Sequence, residues 1–151
     1  MRIMTDIPLG FLLVDAARLY RARLDHAFEQ AGLGLTAGEA RTLAHVSINP
    51  GLRQGVLAER MNIEPMTMVG YLDRLESQQL IARDPDATDR RAKIVRLTAT
   101  AAPLLEKVMA AAVTAREEAL AGLAPEQRDT LRTVLEQVRA NLCAPSRSSE
   151  P

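Results

Sequence analysis

Residues 54–79, QGVLAERMNIEPMTMVGYLDRLESQQ, decide the fold. Val56, Leu57 and Met61 fall on one face of a short helix, and Asn62 suits the left-handed residue just past a helix end. After Ile63 and Glu64, Pro65 fits the first position of a new helix, where its missing amide costs nothing. That helix runs to about Gln79, with Met68, Leu72 and Leu75 on one side and Met66, Thr67, Gly70, Tyr71 and Arg74 on the other. Two helices joined by a three-residue turn make a helix-turn-helix. A helix whose outer face offers small and polar groups can enter the major groove of DNA, which is wide enough to admit it and displays base edges.

Downstream the hydrophobic period changes. Leu80 to Arg83 and Lys93 to Thr98 read as two short strands, and the polar segment Asp84 to Arg91 between them is too long for a tight turn. The result is a hairpin with an extended, charged tip. Arg90, Arg91, Lys93 and Arg96 lie within seven residues with no acid among them, and Asp89 stands where a carboxylate can direct the neighbouring Arg side chains. An Arg on a projecting loop can enter the minor groove while its neighbours neutralise phosphates.

Upstream, apolar residues at Leu9, Leu12, Leu13, Ala16, Leu19, Tyr20, Leu24, Ala27 and Phe28 mark one face of a first helix, ended by Gly32 and Gly34. Thr36 and Glu39 have capping-box spacing and open a second helix that closes at Asn49-Pro50-Gly51. After the hairpin, a helix starts near Thr98 or Thr100, and Pro103 fits its first turn better if Thr100 is the cap. It carries Leu104, Leu105, Val108, Ala112, Leu120 and Leu123, and a last helix opens at Pro125 with Leu131, Val134, Leu135, Val138 and Leu142. The fold class expected is mainly α with a small β-hairpin, a winged helix-turn-helix over 36–98 flanked by dimerisation helices at 8–34 and 100–142. The whole chain reads as one domain, with 144–151 a disordered tail.

The 151 residues carry 19 basic and 19 acidic side chains. The balance argues against a broad basic field, and residues 52–98 hold only eight basic groups against seven acidic. DNA affinity would therefore concentrate at the hairpin tip. Four aromatic residues and no Trp exclude the stacking platforms of single-strand and RNA readers. Cys143 is the only cysteine, so no intrachain disulfide forms, and it reads as an incidental thiol. The apolar run Ile7 to Val14 is bracketed by Asp6 and Asp15 and followed by Arg18, Arg21 and Arg23, unlike a signal peptide, so a cytoplasmic protein away from membranes is expected. No phosphate loop, two-His metal motif or Ser elbow is present, and His26 and His45 are not at ligand spacing, so neither an enzyme nor a cofactor is expected. The terminal helices carry broad apolar faces that one small winged domain cannot cover. Pairing with a second copy buries them and sets two recognition helices about one DNA turn apart.

The runs Leu57-Ala58-Glu59-Arg60-Met61-Asn62-Ile63-Glu64-Pro65, Leu72-Asp73-Arg74-Leu75-Glu76, Asp89-Arg90-Arg91-Ala92-Lys93 and Leu97-Thr98 resemble the MarR family of bacterial transcription regulators. Ile63-Glu64-Pro65 and Ala102-Pro103-Leu104 are most similar to its SlyA branch. The resemblance covers about residues 8–142. It implies a homodimeric, ligand-responsive repressor on pseudo-palindromic operator DNA. Pro65, Met66, Thr67, Val69 and Gly70 would then sit at the start of the recognition helix and Arg90 and Arg91 at the minor-groove wing. It also implies a pocket for a small aromatic or anionic effector, for which Arg18, Arg21, Arg41 and His45 are the basic candidates by location. One departure is Gly70, where SlyA-like chains often carry Arg, since Gly cannot read a guanine edge. The competing reading is a winged-helix protein-interaction module without sequence-specific DNA binding.

Overall fold

The computed structural model describes residues 6–143, so the expected tail at 144–151 lies outside the described residues. Six α-helices and one hairpin follow in the order α1 (Leu9–Gln30), α2 (Ala37–Ile48), α3 (Gln54–Arg60), α4 (Pro65–Ser77), β1 (Ile81–Pro85), β2 (Lys93–Leu97), α5 (Ala102–Ala119) and α6 (Pro125–Cys143). A winged helix-turn-helix, mainly α with a single two-stranded antiparallel sheet, is thus present as expected. The chain forms two compact units, one extending to Arg116 and one beginning at Glu117.

Local chemistry sets the boundaries in the first unit. Thr36 and Glu39 form the reciprocal capping box at the start of α2, Glu39 N–H donating to Thr36 Oγ1 at 3.2 Å and Thr36 N–H to Glu39 Oε2 at 3.1 Å. After α3, Asn62 takes φ 51°, and the amides of Asn62 and Ile63 donate back to Glu59 and Ala58 carbonyls, a Schellman closure. The end of α4 repeats that device with Gln79 at φ 61°, its amide on Glu76 and that of Leu80 on Leu75. Pro65 opens α4 as expected, and Glu64 caps it by accepting the Thr67 amide at 3.1 Å. Two boundaries differ from the sequence reading. A 3-10 turn over Ala99–Ala101, capped at Thr98 rather than Thr100, precedes α5, and α5 stops at Ala119 before Gly122, whose φ of 83° cannot continue a helix.

Leu43 and Val46 of α2, Leu57 of α3, Met68, Leu72 and Leu75 of α4, and Ile81 and Val95 of the hairpin form one buried cluster. Of α1 only Phe28 is buried, with Leu24 and Ala27 packed against the cluster. Its first two-thirds leave Leu9, Phe11, Leu12, Leu13, Val14 and Leu19 exposed. In the second unit α6 has no buried residue and exposes Leu131, Val134, Leu135 and Leu142. Cys143, at the end of α6, is a free, exposed thiol.

The first turn of α2 meets α4 at close range. A Cβ added at Gly38 would lie 2.4 Å from Tyr71 Oη and 2.5 Å from Cζ, so only glycine lets the ring lie there. Gly38→Ala is therefore expected to cost about 1–3 kcal/mol of stability. In a Tyr71→Ala background that penalty should vanish, a coupling measured by urea unfolding of the double-mutant cycle.

Candidate nucleic-acid interface

Recognition would use α4 and the hairpin, and three ion-pair systems order this region, one joining the hairpin to α4, one joining it to the start of α3 and one linking its two strands. Arg83 of β1 reaches α4, with Nη2 2.6 Å from Asp73 Oδ1 and Nε 3.1 Å from Glu76 Oε2. Hydrogen bonding to Glu76 and then Asp73 holds this guanidinium still more firmly in its charged form. Arg53, just before α3, grips the other side of the wing, its Nε donating to Asp86 Oδ2 at 2.6 Å and its Nη2 to Thr88 Oγ1 at 3.4 Å. The Thr88 amide donates to the same Asp86 carboxylate, and with Arg53 this holds Asp86 below the usual carboxylate range. Arg96 pairs across the hairpin with Asp84 at 2.5 Å. A backbone bond from Val95 N–H to the Leu52 carbonyl, 2.9 Å, ties β2 to the segment leading into α3.

The tip itself is organised by Asp89. Its carboxylate accepts the Arg91 amide at 3.0 Å and its carbonyl the Ala92 amide at 3.0 Å, so Asp89 shapes the turn through backbone bonds. Arg90, Arg91 and Lys93 are exposed and, among the described residues, enter no ion pair. Arg96, expected as a fourth free cation, is instead neutralised by Asp84. Between the start of α3 and the wing lies an open cleft of about 340 Å³, lined by Arg53, Gln54, Gly55, Glu59, Arg91 and Lys93. Arg53 and Gln54 were not singled out by sequence reasoning, because only the hairpin's return past α3 gives them a place at the wing.

On α4, Pro65, Met66, Thr67 and Gly70 are exposed and Val69 is half-buried. Tyr71 lies against Gly38, and Arg74 Nε is 2.6 Å from Oε1 of the buried Glu39. Both therefore have an intramolecular role that the helix pattern alone did not show.

The basic residues on α1 and α2 divide. Arg18 pairs on its own helix with Asp15 at 3.6 Å. Arg41 pairs with Asp25 of α1 and keeps a buried Nε without a hydrogen-bond partner. His45 is half-buried near Arg21 and Arg41, and burial first, then those two positive charges, hold its pKa below 6.5. Arg21, Arg41 and His45 thus lie near one another, and Arg18, one turn before Arg21, is paired with Asp15. Among the described residues no group of His, Cys, Asp and Glu could hold a metal, and no helix is long and apolar enough to cross a membrane.

A sequence model of the MarR family matches residues 35–93, the segment that holds the cap of α2, both helices of the helix-turn-helix and the wing tip. The solved transcriptional regulator PA3341 is 33% identical, covering 89% of this chain and 98% of its own, with a TM-score of 0.70. The chain belongs to the MarR family. A MarR-family regulator from Silicibacter pomeroyi is similar at 25% identity, 91% coverage of each chain and a TM-score of 0.76. A mutant MarR from E. coli, solved in complex with operator DNA, shares the fold at 23% identity, with 87% of this chain and 94% of that one covered and a TM-score of 0.67. The protein is accordingly a MarR-family transcriptional regulator.

His45 generates a pH prediction. An unfolded histidine binds its proton near 6.5, whereas His45 in the fold resists protonation until lower pH. Between those values the unfolded state holds more protons, so stability should fall as pH drops below 6.5 and level off beneath the folded pKa. Urea midpoints from pH 8 to 5 should show this decline, and His45→Gln should flatten it.

Proposed function

We propose that this regulator is a homodimer that binds pseudo-palindromic double-stranded operator DNA in the cytoplasm and represses transcription until a small aromatic or anionic ligand binds. The run Ile63-Glu64-Pro65 and the wing Asp89-Arg90-Arg91-Ala92-Lys93 favour the SlyA branch. The observation that carries the DNA reading is the allocation of charge on the wing. Arg53, Arg83 and Arg96 are taken up by Asp86, by Asp73 and Glu76, and by Asp84, while Arg90, Arg91 and Lys93 at the tip keep their charge for an outside partner. Pro65, Met66, Thr67, Val69, Gly70, Tyr71 and Arg74 form the recognition segment, with Asp89 shaping the wing. The operator complex of the E. coli relative supports the same use of the fold.

Dimerisation is supported by the apolar side chains that α1 and α6 leave in water. A second copy supplies self-complementary surfaces for both, and the two-fold axis that relates the copies matches a pseudo-palindrome. For the effector, Arg21, Arg41 and His45 offer an anion two guanidinium groups and an imidazole, with Asp25 opposing them, and Arg18 would join only by leaving Asp15. A ligand acts here only through its differential affinity for forms that fit the operator and forms that do not.

Two measurements test this reading. The slope of log K against log salt on duplex DNA should be steep, and replacing Arg90 and Arg91 with Ala should reduce it by about 3–4, as four phosphate contacts are lost from a dimer. Binding that is absent or insensitive to salt would mark the fold as a protein-interaction module instead. Sedimentation at micromolar concentration should give a dimer, and truncation after Ala124, which removes α6, should yield monomers. A monomeric full-length chain would contradict the proposal.

A further inference from the structure

The outward face of α4 holds Met66, Thr67, Gly70, Tyr71 and Arg74, and its polar side chains already have work within the chain. Arg74 is 2.6 Å from Glu39, whose side chain is 2% exposed, so withdrawing the guanidinium leaves a carboxylate in the interior without its cation. Tyr71 is laid against Gly38. Thr67 donates its amide to Glu64 Oε2, with its hydroxyl 3.4 Å from the same oxygen. Gly70 has no side chain, and nothing stands within 4 Å of the place a Cβ would take. What remains is Met66, 73% exposed at the second position of the helix.

Of the groups that base pairs show in the major groove, only the thymine 5-methyl is apolar; the others donate or accept hydrogen bonds. A bidentate guanine reader on this face would need an Arg or Lys free to turn toward a base edge, and the one Arg present, although its side chain is 63% exposed, is anchored through Nε to Glu39. Met, unbranched and flexible, suits contact with a methyl whose position varies slightly between sites. We propose that α4 reads DNA principally by contact of Met66 with thymine methyl groups, while the bare backbone at Gly70 lets base edges come close to the helix. The proposal rests on the reading of the protein as a binder of double-stranded DNA. It makes Met66 the specificity-determining residue and leaves most of the affinity to Arg90, Arg91 and Lys93.

Uracil isolates the methyl, because it pairs as thymine does and lacks only that group. The full-length protein would select its best duplex from a random pool, and each thymine would then be replaced singly by uracil and binding measured at one salt concentration. One or two positions in each half-site should lose about fourfold in affinity, the worth of one buried methyl. Met66→Ala should bind thymine and uracil duplexes alike, and Met66→Leu should keep the preference. Circular dichroism of both variants checks that this exposed position leaves the fold intact. Uniform tolerance of uracil, or a thymine preference that survives Met66→Ala, overturns the proposal. Salt-dependent duplex binding without any selected sequence also overturns it while the DNA-binding reading stands. Absence of all duplex binding removes both.

Discussion

One buried carboxylate organises the packing of α4 against α2. Glu39 closes the capping box of α2 through the Thr36 amide and pairs with Arg74 of α4, and its side chain is almost withdrawn from water. Burying a charge in this way is costly unless it is both paired and hydrogen-bonded, and here it is both. The same turn of α2 receives the Tyr71 ring over Gly38, so α4 is held at two points one helical turn apart. Two residues beyond Glu39, Arg41 reaches Asp25 of α1. The second helix therefore contacts both α1 and α4 through charged pairs.

The wing follows a related economy. Asp86 and Asp84 of the wing and Asp73 and Glu76 of α4 are not scattered counter-charges but fasteners, the first to Arg53, the second to Arg96 and the α4 pair to Arg83. Each bridge joins different segments of the winged domain, and together they hold the hairpin against α3 and α4. Exposed ion pairs of this kind add little stability singly, so their value lies in orientation. Once these pairs are formed, three of the winged segment's uncompensated cations, Arg90, Arg91 and Lys93, stand together at the tip, while among the described residues Arg60 at the end of α3 meets only the neutral Asn49 side chain. A zero net charge is thus compatible with a strongly directional electrostatic surface.

Features that depend on near neighbours in the chain were legible before folding. The Thr36 to Glu39 box, the left-handed Asn62, Pro65 at the head of α4 and the buried row Met68, Leu72, Leu75 are all written within a few residues of one another. Features that depend on partners far along the chain were not. Arg53 meets Asp86 across 33 positions, and the ion pair between Arg74 and Glu39 spans two helices whose approach no local pattern shows. Local rules also missed Gln79, a non-glycine residue in a positive-φ closure, because the Schellman hydrogen bonds and not the side chain determine it. The approach to α5 was ambiguous because Thr98 and Thr100 are equally good caps on paper. The bonds from Thr98 to the Gln79 and Leu80 carbonyls at the base of the hairpin fix Thr98 there, and a 3-10 turn follows it before α5 begins.

In the proposed complex, two copies of this chain place α4 in successive major grooves and their wing tips in the flanking minor grooves. Hydroxyl-radical footprinting of the full-length protein on a selected duplex tests it most directly. Two protected regions are expected, related by a dyad and centred about one helical turn, 10–10.5 base pairs, apart, with flanking minor-groove protection that is lost when Arg90 and Arg91 are replaced by Ala. A single unrepeated patch, or flanking protection that persists without those two side chains, would contradict it.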